Sequence, residues 1–168
     1  VNKDGVGWVY IPNTRINYPI VQGRDNNEYL HKGVSPDGSF GDRSGAIFLD
    51  AACATNFSST NSILYGHHMN DGSMFAALSD ELTTQEGFDA ARTVYIFTPD
   101  KNMRCETFAV IRTTGSDLLA QASFATDADR ANYVQDKMNR SLVRPPEGFP
   151  SAESVTQMVT LSTCDYDE

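Results

Sequence analysis

Val159-Thr160-Leu161-Ser162-Thr163-Cys164 is the run that most restricts what this chain can become. Its β-branched residues favour an extended backbone, whose period of two puts Val159 and Leu161 on one face and Thr160, Ser162 and Cys164 on the other. A sulfur is thereby brought to a strand end, beside hydroxyls, where a nucleophile can be held rigidly. A cysteine packed as a small hydrophobe fits the same pattern. The choice between the two turns on whether a base lies elsewhere in the chain.

A base is found far upstream. Ser62-Ile63-Leu64-Tyr65 reads as an apolar strand that runs into Gly66, then His67 and His68, then the turn-forming Asn70-Asp71-Gly72. A cysteine and a histidine distant in sequence but both at strand ends suit thiol catalysis, because the imidazole must come near the sulfur to form or balance the thiolate. Neighbours on an extended chain point to opposite sides, so only one of His67 and His68 can face Cys164. The residues alone leave either open. A metal pair is disfavoured, since no third ligand is spaced nearby.

Composition narrows the class. A length of 168 residues suits one domain with a real core, and 40% hydrophobic content with a mean hydropathy of -0.38 reads as globular and soluble. A net charge of -9 without any basic run argues against a nucleic-acid partner. No apolar stretch approaches the roughly 20 residues of a membrane helix, and Val1 does not begin a signal peptide. Cys53, Cys105 and Cys164 form an odd set without a CxxC spacing. A Cys53–Cys105 pair and two unpaired, packed thiols both remain open.

Along the chain, Trp8–Ile11 and Ile16–Val21 read as strands around a Pro12-Asn13 turn, and Asp25–His31 as a short helix led by Asp25. His31 reads as a surface histidine. Residues 35–44 form a Gly/Ser/Pro/Asp-rich loop, Gly45–Leu49 resumes a strand, and residues 50–61 are a polar connection. Met74–Leu78 and Thr83–Ala91 carry helix formers, the latter with Thr83 or Thr84 as cap and Glu86 close behind. Thr93–Phe97 and Met103–Thr114 flank a hairpin signal at Pro99–Asn102. The clearest helix starts near Thr126, with Ala128, Ala131, Val134, Met138 and Leu142 as its apolar stripe, and runs towards Arg144 before Pro145-Pro146 stops it. The pattern alone gives an α+β chain, mostly β.

Several of these blocks resemble the sortases, and more closely their class B branch. Leu64-Tyr65-Gly66-His67-His68-Met69-Asn70-Asp71-Gly72-Ser73-Met74-Phe75 is similar to the class B histidine motif, and Thr160-Leu161-Ser162-Thr163-Cys164 to the sortase cysteine motif. Val6–Pro12, Ile16–Gly23 and Asp25–His31 are also similar to class B chains, in compatible order and spacing.

The resemblance implies a mainly β fold with added helices, the sortase-type β-barrel, with residues 1–168 as a single catalytic domain. It implies a cysteine transpeptidase in which Cys164 attacks an LPxTG- or NPxTN-like sorting signal after its threonine. A thioester forms, and an amine of a cell-wall precursor or a pilin lysine resolves it. The family pattern puts the catalytic histidine directly after the glycine, hence His67; His68 stands where that pattern usually differs and is expected to be exposed. The resemblance places Asn26, Leu30 and Ser162 beside the substrate and the N–H of Asp165 at the oxyanion, while from the residues alone Asn26 and Leu30 equally fit a cap and a core residue. No cofactor and no metal are implied. Such chains usually carry an N-terminal membrane anchor at the extracellular face of Gram-positive bacteria, so Val1 is expected to follow an anchor absent from this chain.

One family feature has no counterpart in the sequence. The resemblance calls for an arginine on a closing strand after the cysteine, and the sequence ends at Glu168. None of Arg15, Arg24, Arg43, Arg92, Arg104, Arg112, Arg130, Arg140 or Arg144 matches, so that role and the closing strand are expected outside the given chain. Two rival readings share these residues: a hydrolytic cysteine peptidase with water as acceptor, and a non-catalytic surface-binding domain.

Overall fold

The computed structural model describes residues 2–35, 44–114 and 121–163. Strands β1 (Gly5–Tyr10), β2 (Asn17–Val21), β3 (Ile47–Leu49) and β4 (Asn61–Tyr65) come first. Helices α1 (Ala76–Asp80) and α2 (Gln85–Ala91) precede the hairpin of β5 (Thr93–Phe97) and β6 (Asn102–Glu106). Helix α3 (Asp127–Arg140) and a 3-10 turn at Ala152–Ser154 lead into β7 (Met158–Ser162). The seven strands form one sheet in the order β6-β5-β1-β2-β3-β4-β7, curled into a nearly closed barrel.

Alternation decides what fills the barrel. Val9, Ile20, Ile47, Leu49, Val94 and Ile96 alternate into one core with Phe57 and Phe75; β4 is buried on both faces, so Ile63 and Leu64 both join it, and Val159 and Leu161 of β7 pack against it. The opposite face of β7 meets a second cluster, in which Val134 of α3, Ala152 and Met158 are buried. β7 is thus sandwiched between the barrel core and α3. The expected placement of the long helix before the cysteine strand holds.

Local chemistry explains several boundaries. At the Pro12-Asn13 turn, Asn13 takes φ 64° and Ile11 N–H donates to Ile16 O at 3.0 Å. Thr84, one of the two expected caps, accepts from Gly87 N–H and starts α2. α3 opens on a capping box: the Asp129 N–H donates to Thr126 Oγ1 at 3.1 Å, and the Thr126 N–H donates to the Asp129 carboxylate at 3.1 Å.

Three expectations are corrected by long-range hydrogen bonds. Asp25–His31 forms turns, not a helix. The Asp25 carboxylate accepts from Asn27 and Glu28 N–H as a cap would, but the bond that follows is the i,i+3 contact of a turn, Leu30 N–H to Asn27 O at 3.2 Å, and the Tyr29 carbonyl is tied to Ala46 N–H at 3.1 Å. β6 ends at Glu106, opposite the first residue of β5; after one more bond, from Thr107 N–H to Arg92 O, the chain turns to the segment after α3, where Leu142 N–H donates to Val110 O at 2.8 Å. α3 ends at Arg140, well before the prolines. Ser141 is extended and its hydroxyl accepts from Val110 N–H, which leaves Leu142 54% exposed. The buried face of α3 carries Val134 and Lys137, while Ala128 of the expected stripe is exposed.

The capping box holds the helix that covers β7. Thr126→Ala should lower stability by about 1 kcal/mol, read as a lower urea midpoint at unchanged m-value. An unchanged midpoint would mean that the box contributes nothing to seating α3.

Candidate functional site

β4 and β7 run parallel, paired from Asn61↔Met158 to Tyr65↔Ser162. Just past that pairing, Gly66 N–H donates to the Ser162 carbonyl at 3.1 Å. Gly66 is required by close approach: a Cβ there would run into Ile47 Cδ1 and lie 2.8 Å from the Phe75 ring. His67 follows, with its backbone fixed from both directions. Phe75 N–H donates to His67 O at 2.9 Å, and His68 bridges antiparallel to Met74. The expected Asn70-Asp71-Gly72 turn joins the two, with Gly72 at φ 78°. The Ser73 hydroxyl and N–H both donate to the Asp71 carboxylate and hold its pKa below the usual range.

The two histidines diverge. His67 Nε2 lies 2.6 Å from the carbonyl oxygen of Leu30. A carbonyl only accepts, so Nε2 carries the proton and the neutral ring keeps its lone pair on Nδ1. His68 turns instead to α1, with Nε2 2.8 Å from the Asp80 carboxylate. Its side chain is only 14% exposed, which corrects the expectation of an exposed His68. The physical reason is the short antiparallel bridge to Met74, which lays the residue against α1.

The Leu30 carbonyl is itself held in place. Gly45, at φ 61°, leaves room for it, since a Cβ there would collide with the Leu30 carbonyl and sit 2.8 Å from that of Tyr29. Tyr29 is 1% exposed, and its hydroxyl donates to the Asp4 carboxylate at 2.6 Å. The Leu30 side chain is half-buried against the cluster of Val21, Tyr29, Ala46 and Phe48. Asn26 donates to the Asp50 carboxylate at 2.9 Å and accepts from Ala51 N–H at 2.8 Å. Its amide therefore ties the loop to the end of β3.

Asp50 gathers this network. The Tyr65 hydroxyl donates to the same carboxylate oxygen as Asn26, at 2.8 Å, and Ala52 N–H donates to the other. Burial, and then that bond to Asp50, push the Tyr65 phenol well above the ordinary tyrosine value.

His31 was expected only as a surface residue. It is exposed, but its ring stacks on His67, with centroids 5.8 Å apart and planes 22° from parallel. Neither this contact nor the Asp50 network had a signal in the sequence, because each joins segments far apart along the chain. The structure thus brings together His67, Leu30 and the Ser162 carbonyl, and sets Asn26 on Asp50 one step away. Cys164 and Asp165 lie outside the described residues. Cys53 and Cys105 are free thiols, both pushed up in pKa by burial, so the open question of their pairing is answered.

Comparison with known proteins agrees with this architecture. The sequence profile described as "Sortase domain" matches residues 9–168. Sortase B of Listeria monocytogenes is 34% identical over 169 residues, covering 100% of this chain and 65% of its own length. The structure of a Staphylococcus aureus sortase B–substrate complex superposes with a TM-score of 0.87 at 28% identity, covering 100% of this chain and 76% of that one. A crystal structure of sortase B complexed with triglycine gives a TM-score of 0.86 at 28% identity, covering 98% and 73%. The chain spans 65% of the length of the curated relatives it matches.

The Asn26–Asp50–Tyr65 network makes two measurable claims. Asn26→Ala should lower stability by about 1–3 kcal/mol, because it leaves the buried Asp50 short of a donor; an Asn26 serving substrate alone would leave the urea midpoint unchanged. For Tyr65, the phenol is raised in the folded chain, so above about pH 10 the unfolded chain binds fewer protons than the folded one and stability falls as pH rises. Tyr65→Phe should make that alkaline decline shallower in urea midpoints measured from about pH 8 to 11. An equal slope would remove Tyr65 from the linkage.

Proposed function

The chain belongs to the sortase family, class B, and on that premise we propose that it is a cysteine transpeptidase with Cys164 as nucleophile and His67 as its acid–base partner. The observation that carries the proposal is the parallel register of β4 and β7. The pairing keeps one offset from Asn61↔Met158 to Tyr65↔Ser162, and two positions further along each segment the sequence has His67 and Cys164. Residues at equal register on parallel neighbours share a face, so a continued register pairs the imidazole with the thiol.

In this reading His67 Nδ1 first takes the proton of the Cys164 thiol, and the resulting thiolate attacks the carbonyl carbon after the threonine of an LPxTG- or NPxTN-like sorting signal. Collapse of the tetrahedral adduct breaks the C–N bond, and His67 Nδ1–H gives its proton to the leaving amine. The thioester is then attacked by an incoming amine, whose proton returns to Nδ1 as the thiolate departs. The Leu30 carbonyl accepts from Nε2–H throughout, which keeps Nδ1 as the working nitrogen. Backbone N–H groups beside Cys164, including that of Asp165, serve the oxyanion; one such donor is worth about 3 kcal/mol of barrier. Ser162, Leu30 and Asn26 flank the peptide.

The peptide donor is supported by the substrate complex of the Staphylococcus aureus relative, and an amine acceptor by the relative bound to triglycine. The natural acceptor, a cell-wall precursor or a pilin lysine, belongs to the same proposal, as does a place at the extracellular face of the Gram-positive membrane. Among the described residues no helix is long and apolar enough to cross a membrane. Residues 1–168 serve as one catalytic domain.

The test is mass spectrometry of an LPxTG or NPxTN peptide incubated with the protein, with and without triglycine. The expected products are a protein-bound acyl group and, with triglycine, the ligated peptide. Cys164→Ala should abolish both, and His67→Ala should lower turnover by about 10²–10⁴. His68→Ala should stay within a few-fold of the parent, since its ring faces Asp80. Acyl transfer by Cys164→Ala would refute the nucleophile, equal losses at both histidines would refute the choice of His67, and hydrolysis alone with triglycine present would favour a peptidase.

A further inference from the structure

His31 touches the ring that the proposed chemistry depends on, yet the reaction assigns it no task. The hydrogen bond from His67 Nε2–H to the Leu30 carbonyl fixes one atom of the imidazole. It leaves the ring free to swing about that contact, and a swing carries Nδ1 away from any group it must serve. A flat partner on the ring face removes that freedom. The His31 ring is such a partner, at a 5.8 Å centroid separation and 22° between planes, within the separation of about 4.5–7 Å at which aromatic pairs attract.

The two restraints come from adjacent residues of one pinned segment. Leu30 gives the carbonyl and His31 the ring, while Tyr29 is buried and bonded to Asp4 and Asn26 is bonded to Asp50. Lys32, the next residue, is engaged elsewhere: its ammonium pairs with Glu28 at 3.3 Å and lies 4.7 Å over the Tyr29 ring. His31 is therefore the side chain of this segment that is left to face His67.

We propose that His31 is a positioning residue for His67, whose stacked ring fixes the imidazole plane so that Nε2 stays on the Leu30 carbonyl and Nδ1 points to the reacting groups. Its effect on turnover rests on the transpeptidase reading above. Its effect on the imidazole does not.

Two variants separate the parts. His31→Ala removes the ring, whereas His31→Phe keeps a flat aromatic face and no titratable group; both sit at an exposed position and should melt near the parent. In ¹⁵N NMR of the histidine side chains, His67 of the parent should show the Nε2–H tautomer. His31→Ala should shift it towards a mixture, and His31→Phe should restore the parent pattern. In peptide ligation to triglycine, His31→Ala should lower kcat roughly fivefold to tenfold at a KM within about twofold of the parent, with His31→Phe recovering most of the loss. An unchanged tautomer and kcat in His31→Ala overturn the proposal. So does an equal loss in His31→Phe, which would show that stacking is not what matters. A tautomer shift as expected, in a protein whose parent form transfers no acyl group, keeps the positioning role and removes the transpeptidase reading instead.

Discussion

The parallel pairing of β4 with β7 is the interaction on which the rest of the structure depends. Two parallel neighbours cannot be joined by a tight turn, so the chain between them must leave the sheet and return. Here that crossover holds α1, α2, the β5–β6 hairpin, which rejoins the sheet at its far end beside β1, and α3. Asn61, Ser62, Ile63 and Leu64 of β4 are each at most 2% exposed, and a strand so buried must satisfy both of its edges. β3 takes one edge and β7 the other. Inside the pairing, the Thr160 hydroxyl donates to Asn61 Oδ1 at 2.8 Å, a partly buried polar contact that a slip of register would break.

What the pairing sets up chemically, a loop from the first third of the chain completes. His67 leaves β4 only because Gly66 passes over Ile47 and Phe75, and it is then met by the Leu30 carbonyl and the His31 ring. A loop can do this accurately only if its backbone is tied down. Tyr29 to Asp4, Tyr29 to Ala46, and Asn26 with Tyr65 to Asp50 are those ties. The cost is a helix that never forms. The backbone groups around residue 29 are used as tertiary partners, and the site gains a fixed acceptor for Nε2–H in exchange.

The same logic separates His67 from His68. Both rings have short contacts, but one is to a carbonyl that can only accept and the other to a carboxylate on α1. A backbone acceptor fixes a tautomer without adding charge. The carboxylate of Asp80 makes His68 part of the packing between the turn and α1.

The strands, the hairpin at Pro99–Asn102, a threonine cap at Thr83 or Thr84, a helix start near Thr126 and the glycine-histidine strand exit were all legible in the sequence, as was the sortase resemblance. Each depends on residues within a few positions of one another, so propensity, alternation and turn chemistry suffice. Tertiary structure alone decided that Asp25–His31 would be turns, that α3 would stop at Arg140, that β6 would end at Glu106, and that His31 would lie on His67. In each case the deciding contact joins residues far apart in the chain: Tyr29 with Ala46, Val110 with Ser141 and Leu142, His31 with His67. Local pattern therefore determined which segments could be strands and which histidine follows the glycine. Which backbone and side-chain groups surround that histidine was settled only by long-range hydrogen bonding and packing, whose partners no short window of sequence contains.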